Sequence, residues 1–162
     1  MQTAGFRPLI RQQKQLPEAE CIALLKHELR GVLSVIGDGG YPYGMPMNHW
    51  YCEADGKLYF HGGKEGHKID ALRRCDQASF CVYDSGVRAE GDWALTIRSV
   101  IVFGRITLID DPEQVIRISR QLCGKFTQDE AYIENEIRCF GSKTLCLALT
   151  PEHICGKRVS EK

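Results

Sequence analysis

The sequence predicts one mainly β domain of the α+β class, six antiparallel strands closed as a small barrel with helices laid against it. Three observations carry that expectation. The turns Gly37-Asp38-Gly39-Gly40 and Glu53-Ala54-Asp55-Gly56 separate apolar runs of strand length, and connections this short join antiparallel neighbours. The long run Ser99–Ile109 carries Gly104 near its middle, where a bend or bulge lets a strand curve. A curved sheet of this size removes its exposed edges by closing on itself.

The elements follow in order. Residues 1–15 are polar and basic without periodicity, and are expected to form an arm over the surface or over a partner subunit. Pro17-Glu18-Ala19-Glu20 opens a helix, because proline fits the first turn and acids suit the positive end of the dipole. Ile22, Leu25 and Leu29 form its apolar stripe and Gly31 ends it. Val32–Ile36 then reads as a buried strand, Tyr43–Cys52 as a second and Lys57–His61 as a third. Helical spacing returns over Glu65–Arg74, with Ile69 and Leu72 inward. Ala78–Tyr83 and Ser99–Ile109 are the next strands. A helix runs from Asp111-Pro112-Glu113 to about Leu122, with Val115, Ile118 and Leu122 inward. The stretch 124–142 is ambiguous, helical around Asp129–Arg138. Thr144–Thr150 and His153–Cys155 close the sheet, so residues 1–162 form one domain.

Composition removes several function classes. In 162 residues, 21 Lys+Arg balance 21 Asp+Glu, which argues against a nucleic-acid-wrapping surface. No apolar run is long enough to span a membrane. The first residues lack a signal-peptide pattern, so a cytoplasmic location is expected. The eight cysteines contain no C-x-x-C and read as small, mostly buried hydrophobes in a reducing compartment. No H-x-x-x-H or G-x-S-x-G occurs, so neither a metal nor a hydrolytic serine is expected.

Three segments could carry chemistry. Tyr59–Lys68 runs strand, glycine-rich turn, helix, with Lys64 and Lys68 beside backbone N–H groups that a phosphate would satisfy. A glycine turn that only connects two elements is the competing account. In Tyr43–Tyr51, Pro46 cannot donate to a ladder, so this strand is irregular or at an edge, and Met, Trp and Tyr offer flat surface to a ring. Arg98-Ser99 sets a polar head on the apolar run that follows; a solvated strand-end cation is the alternative.

Taken together, these segments resemble a known family. Gly39-Gly40-Tyr41-Pro42-Tyr43 with Pro46-Met47-Asn48, then Leu58-Tyr59-Phe60-His61-Gly62 with Glu65-Gly66-His67-Lys68-Ile69-Asp70-Ala71-Leu72, then Arg98–Gly104, resemble the flavin-binding split-barrel proteins related to pyridoxamine 5′-phosphate oxidase, in the nitroimidazole-resistance branch. The resemblance spans roughly residues 5–157. It implies a six-stranded split β-barrel with flanking helices, and a homodimer holding FMN in the interface. Met45, Pro46, Met47 and Asn48 would lie along the flavin ring, and His61 and Gly62 would touch it at the strand end. Lys68 matches the phosphate-binding lysine, with Lys64, Gly66 and His67 on the same turn. Arg98-Ser99 matches an Arg-Gln pair of the oxidases, though serine reaches less far. Trp93 would come from the other subunit.

The activity this implies is an FMN-dependent oxidoreductase acting on a small molecule, with nitroimidazole-type compounds as the namesake substrates and His61 as the candidate catalytic group. A flavin- or haem-binding protein without robust turnover is the second reading, with His61 or His67 as an axial ligand. A regulatory module that keeps only the fold is the third. The C-terminal stretch His153–Arg158 lacks the oxidases' tryptophan segment and Arg-x-His motif, which disfavours vitamin B6 oxidation.

Overall fold

The computed structural model describes residues 5–162; the first four residues of the expected arm lie outside them. In chain order the elements are α1 (Glu18–His27), β1 (Arg30–Ile36), β2 (Pro42–Asn48), β3 (Trp50–Cys52), β4 (Lys57–Gly63), α2 (His67–Arg74), β5 (Gln77–Tyr83), β6 (Val87–Arg88), β7 (Leu95–Ile109), α3 (Pro112–Gly124), α4 (Glu130–Phe140) and β8 (Thr144–Ser160). Among the described residues, no helix is long and apolar enough to cross a membrane.

The strands form one antiparallel sheet in the order β2-β1-β5-β7-β8-β4-β3, with the two-residue β6 added to β7. Its two end strands, β2 and β3, are consecutive in the chain and joined through His49. The sheet therefore curls until its edges meet across one covalent link, which is the split barrel.

Eight strands stand where six were expected. The run Tyr43–Cys52 breaks at His49, whose ring is wholly buried and lies 2.7 Å by Nε2 from the Leu25 carbonyl of α1. The two closing strands are one, β8, which pairs along β7 with a register shift between Phe103 and Gly104. A Cβ at Gly104 would sit 2.1 Å from the Thr150 carbonyl oxygen, so only glycine lets the two long strands approach at that bulge. The first helix ends at His27, and Leu29 is exposed rather than on a buried stripe. Gly31 is a strand residue in β1, where a Cβ would meet Phe80 and the Cys81 carbonyl at 2.5 Å. The second helix begins at His67, because Gly66 takes a φ of 114°.

Two apolar clusters explain which way β4 faces. Leu58 and Phe60 point into the barrel with Leu33, Phe80, Val102 and Leu147, while Tyr59 points out under α3 with Val115, Ile118 and Leu122. The alternation of a strand then sends His61 to the α3 side and Gly62 to the barrel side. All eight cysteines are free thiols, but only Cys21, Cys52 and Cys146 are buried; Cys139 is exposed and the other four are half-buried. Phe6 of the arm stacks on His153 at 4.8 Å.

Candidate functional site

Three local irregularities come together at Lys68: the free edge of β2, the glycine end of β4 and the first turn of α2. β2 pairs only with β1, so its backbone groups on the far side are unpaired, and Pro46 has no N–H. Tyr43, Met45 and Met47 lean against the barrel core. Gly62 leaves room for the Lys68 side chain, since a Cβ there would stand 2.9 Å from Nζ. Lys68 reaches back across it to donate to the Met47 Sδ at 3.6 Å.

Lys68 has no carboxylate within ion-pair distance among the described residues, and burial lowers its pKa. A half-buried ammonium whose only side-chain partner is a thioether is short of a counter-charge. The backbone N–H groups of His67 and Lys68 open the helix and point along its positive end. The geometry suits a compact anion.

His67 is fixed beside this turn. Its ring stacks on Tyr43 at 4.2 Å, and Nε2 accepts from the Asp38 N–H at 3.2 Å, so the neutral ring carries its proton on Nδ1. Asp38 in turn accepts from Arg74 at 2.6 Å, which ties the Gly37–Gly40 turn to α2.

The other expected site residues are distributed differently. Pro46 and Asn48 alternate to the outside of β2, away from Lys68. Lys64 is paired with Asp110 at 2.6 Å and lies on the α3 side, not beside Lys68. His61 stands on the opposite face of β4, beside Ser119, Cys123 and Glu136. Although His61 keeps an open edge, partial desolvation and the Lys68 charge lower its pKa, so the ring is neutral at neutral pH. Trp93 is exposed ahead of β7. Arg98 and Ser99 lie on β7, three strand positions from β2, which is roughly 14 Å along the sheet. Within one chain, then, Met45, Met47, Gly62, Gly66, His67 and Lys68 come together, and Trp93, Arg98 and Ser99 do not join them.

The outer face of β1, β5 and β7 lies open. Val32, Cys81, Ile101 and Cys155 stand in register across it, and Val32, Tyr83, Ile101 and Phe103 are each more than a third exposed. A groove of about 570 Å³, bordered by Arg30, Val32, Pro46 and Tyr83, opens on this side. Contiguous exposed apolar patches are commonly contact surfaces.

Two polar features escaped the sequence. Asp84, nearly buried, accepts from the Arg98 Nε at 2.8 Å, the Arg98 N–H at 3.0 Å and the Gly86 N–H at 3.1 Å. Burial opposes its charge, but these bonds outweigh burial and hold the carboxyl below its ordinary pKa. Arg98 is therefore committed to Asp84. The second feature joins His49 to Lys125, whose ammonium donates to the main-chain carbonyls of Glu28 and, at 3.1 Å, of His49. Neither pairing follows a local motif, since 14 and 76 residues separate the partners.

A family model described as pyridoxamine 5′-phosphate oxidase matches residues 17–158. No curated protein matches the chain. Several solved structures superpose on it at low identity. A candidate 5-nitroimidazole antibiotic resistance protein from Bacteroides thetaiotaomicron has a TM-score of 0.74 and 18% identity, covering 90% of this chain and 87% of that one. An FAD and heme binding protein from Mycobacterium smegmatis has a TM-score of 0.71 and 21% identity, covering 92% and 74%. An FAD-binding protein from Mesorhizobium loti has a TM-score of 0.66 and 20% identity, covering 90% and 97%. These likenesses show a common split-barrel fold. With the family model matched over 17–158, the chain belongs to the pyridoxamine 5′-phosphate oxidase family.

Proposed function

We propose that the chain is an FMN-dependent oxidoreductase that works as a homodimer and reduces a small organic molecule, nitroimidazole-type compounds being candidates. The observation that carries this reading is Lys68, half-buried beside the first turn of α2 without a counter-charge. An FMN phosphate, roughly doubly charged at neutral pH by analogy with other phosphomonoesters, supplies that charge and accepts from the free N–H groups of the turn. The residues present fit the group: Gly62 gives clearance, and Met45 and Met47 give a soft apolar surface along the β2 edge. The descriptions of two relatives of the same fold as FAD-binding proteins agree with a flavin here.

When bound, the flavin supplies the electron transfer, and the protein's part is binding, orientation and exclusion of water. Lys68 and the α2 turn hold the phosphate. Met45 and Met47 line the ring along the open edge. The exposed β1–β5–β7 face receives a second copy, so that Trp93, Arg98 and Ser99 of the partner subunit complete a site they cannot reach within one chain. C2 pairing is the commonest closed arrangement for such a face. His61, across β4 from Lys68, is the candidate hydrogen-bond donor to a molecule that reaches that face of the strand end.

The test is the absorbance spectrum of purified protein, followed by FMN titration and mass spectrometry of any released ligand. Flavin bands and a released mass matching FMN support the reading. A colourless protein that refuses added FMN overturns it, and a Soret band points instead to haem.

A further inference from the structure

The seating of α4 leaves an unfilled recess on the side of the sheet away from Lys68. Its apolar stripe runs Ile133, Ile137, Phe140, at the spacing of one helix face. Only Ile133 is buried, and Phe140 is more than half exposed. The helix is held by its Asp129 cap and by the two-pronged Arg120–Glu134 pair, at 2.7 and 2.9 Å, rather than by close packing along that stripe. Beneath Ile137 a recess of about 360 Å³ is floored by Pro112, Val115 and Ile116. A smaller cavity, of about 80 Å³, adjoins it through the same Ile137, Gly141 and Thr144, and reaches His61.

The recess has the composition of a small-molecule site: a mostly apolar floor with a few polar groups at its rim. Those groups also say what charge it accepts. The rim cation, Lys64, is already neutralised by Asp110 at 2.6 Å. The Thr144 hydroxyl donates to the Phe140 carbonyl, which leaves its oxygen lone pairs to accept a bond. An anion entering here would have to break the ion pair or lose its hydration unpaired, and either is costly beside an apolar floor. An uncharged guest loses neither.

We propose that this recess between α3, α4 and the end of β4 is a second small-molecule site, for an uncharged compound of one or two rings carrying a hydrogen-bond donor. It shares no residue with the Lys68 phosphate site, but its smaller cavity ends at His61, which the proposed oxidoreductase also uses, so its test reads binding and not turnover. Its limits follow from its walls. Gly141 has helical backbone angles and a Cβ there would touch only Ile137, at 3.8 Å. A leucine at 141 therefore fills the space without straining the chain.

The test is methyl-detected NMR on the full chain, with benzamide as the neutral probe and benzoate as its anionic counterpart. Benzamide should shift the Ile116 and Ile137 methyl signals and bind at least about tenfold more tightly than benzoate, whose carboxylate would lose hydration without a partner. Gly141→Leu should abolish the benzamide shifts. Asp110→Asn frees Lys64, and should raise benzoate affinity several-fold while leaving benzamide binding unchanged. No methyl shift with millimolar benzamide overturns the site, as does binding indifferent to Gly141→Leu. Benzoate affinity unmoved by Asp110→Asn overturns the charge assignment, and with it the ligand class.

Discussion

The Nζ of Lys68 rests 3.6 Å from the Sδ of Met47, so the cation between β2 and β4 is bound to a neutral sulfur. Sulfur is a weak acceptor and does not offset the cost of burying an ammonium. The arrangement holds the side chain extended across Gly62 and ready for an anion. With the His67–Tyr43 stack beside it, it ties the start of α2 to the β2 edge.

Lys68→Met removes the charge and keeps the apolar stem. A hydrogen bond to a charged group contributes about 1.5–3 kcal/mol, so FMN affinity should fall roughly ten- to hundredfold. Riboflavin, which lacks the phosphate, should bind the variant nearly as well as it binds the parent. Fluorescence-quenching titrations with both flavins measure the two constants. Equal weakening of both would remove Lys68 from the phosphate site.

Assembly depends on the outer face. Ile101 lies in its central row, flanked by Cys81 and Cys155, and is more than a third exposed. Ile101→Glu puts a charge in the middle of an apolar contact, where it would be buried unpaired. Light scattering should show the parent as a dimer and the variant as a folded monomer with weakened flavin binding. A variant that stays dimeric places the interface elsewhere.

Much of this architecture was legible in the residues. Glycine turns, helix-opening prolines and the Gly104 bend fixed the order of strands and helices, because each is a local backbone requirement. The Lys68 turn was legible for the same reason, as glycine, cation and helix start are adjacent in sequence. The break at His49 was not, since it depends on the Leu25 carbonyl, 24 residues away. Lys64 and Lys68 look equivalent in the sequence; only the folded chain brings Asp110 to one and Met47 to the other. The alternation of β4 likewise separates His61 from Gly62, which the sequence sets side by side. The commitment of Arg98 needed Asp84 on the neighbouring β5–β6 connection, a pairing no spacing rule reports.

His61 supplies a kinetic prediction. Desolvation and Lys68 lower its pKa, so the ring is uncharged across neutral pH and can donate a hydrogen bond but carries no extra proton. His61→Ala should keep the fold and most FMN affinity, and slow reoxidation of reduced protein by a quinone about tenfold, at the low end of such effects. His61→Gln, a neutral donor, should recover part of the loss. Because the shift favours the neutral ring, the parent rate should not fall as pH rises from about 7 to 8. A stopped-flow rate unchanged in His61→Ala leaves the residue outside the reaction. A rate that falls steadily over the same window would mean the charged ring is the active form.

The joint between β2 and β3 gives a stability prediction whose sign can be worked out. His49 is wholly buried, with Nε2 bonded to the Leu25 carbonyl and Nδ1 unpartnered. Burial, then the nearby Lys125 charge, pushes its pKa from 6.5 down to about 4. The unfolded chain therefore takes up a proton between about pH 6.5 and 4 that the folded chain refuses, so stability is full above that window and lost as pH falls through it. At about 1.4 kcal/mol per unit, the loss attributable to His49 is about 3 kcal/mol. Lys125 works in a different window. Burial lowers it to about 8, so folding gains as pH rises from about 8 toward its ordinary 10.5. Urea unfolding of the parent, His49→Gln and Lys125→Met at pH 4.5, 6.5, 8 and 10, conditions chosen to bracket both windows, separates the two. The acid loss should be smaller in His49→Gln, by about 2 kcal/mol at pH 4.5, and the alkaline gain should be missing in Lys125→Met. Parallel curves for the parent and His49→Gln between pH 6.5 and 4.5 would mean that His49 takes up its proton as readily in the fold as outside it.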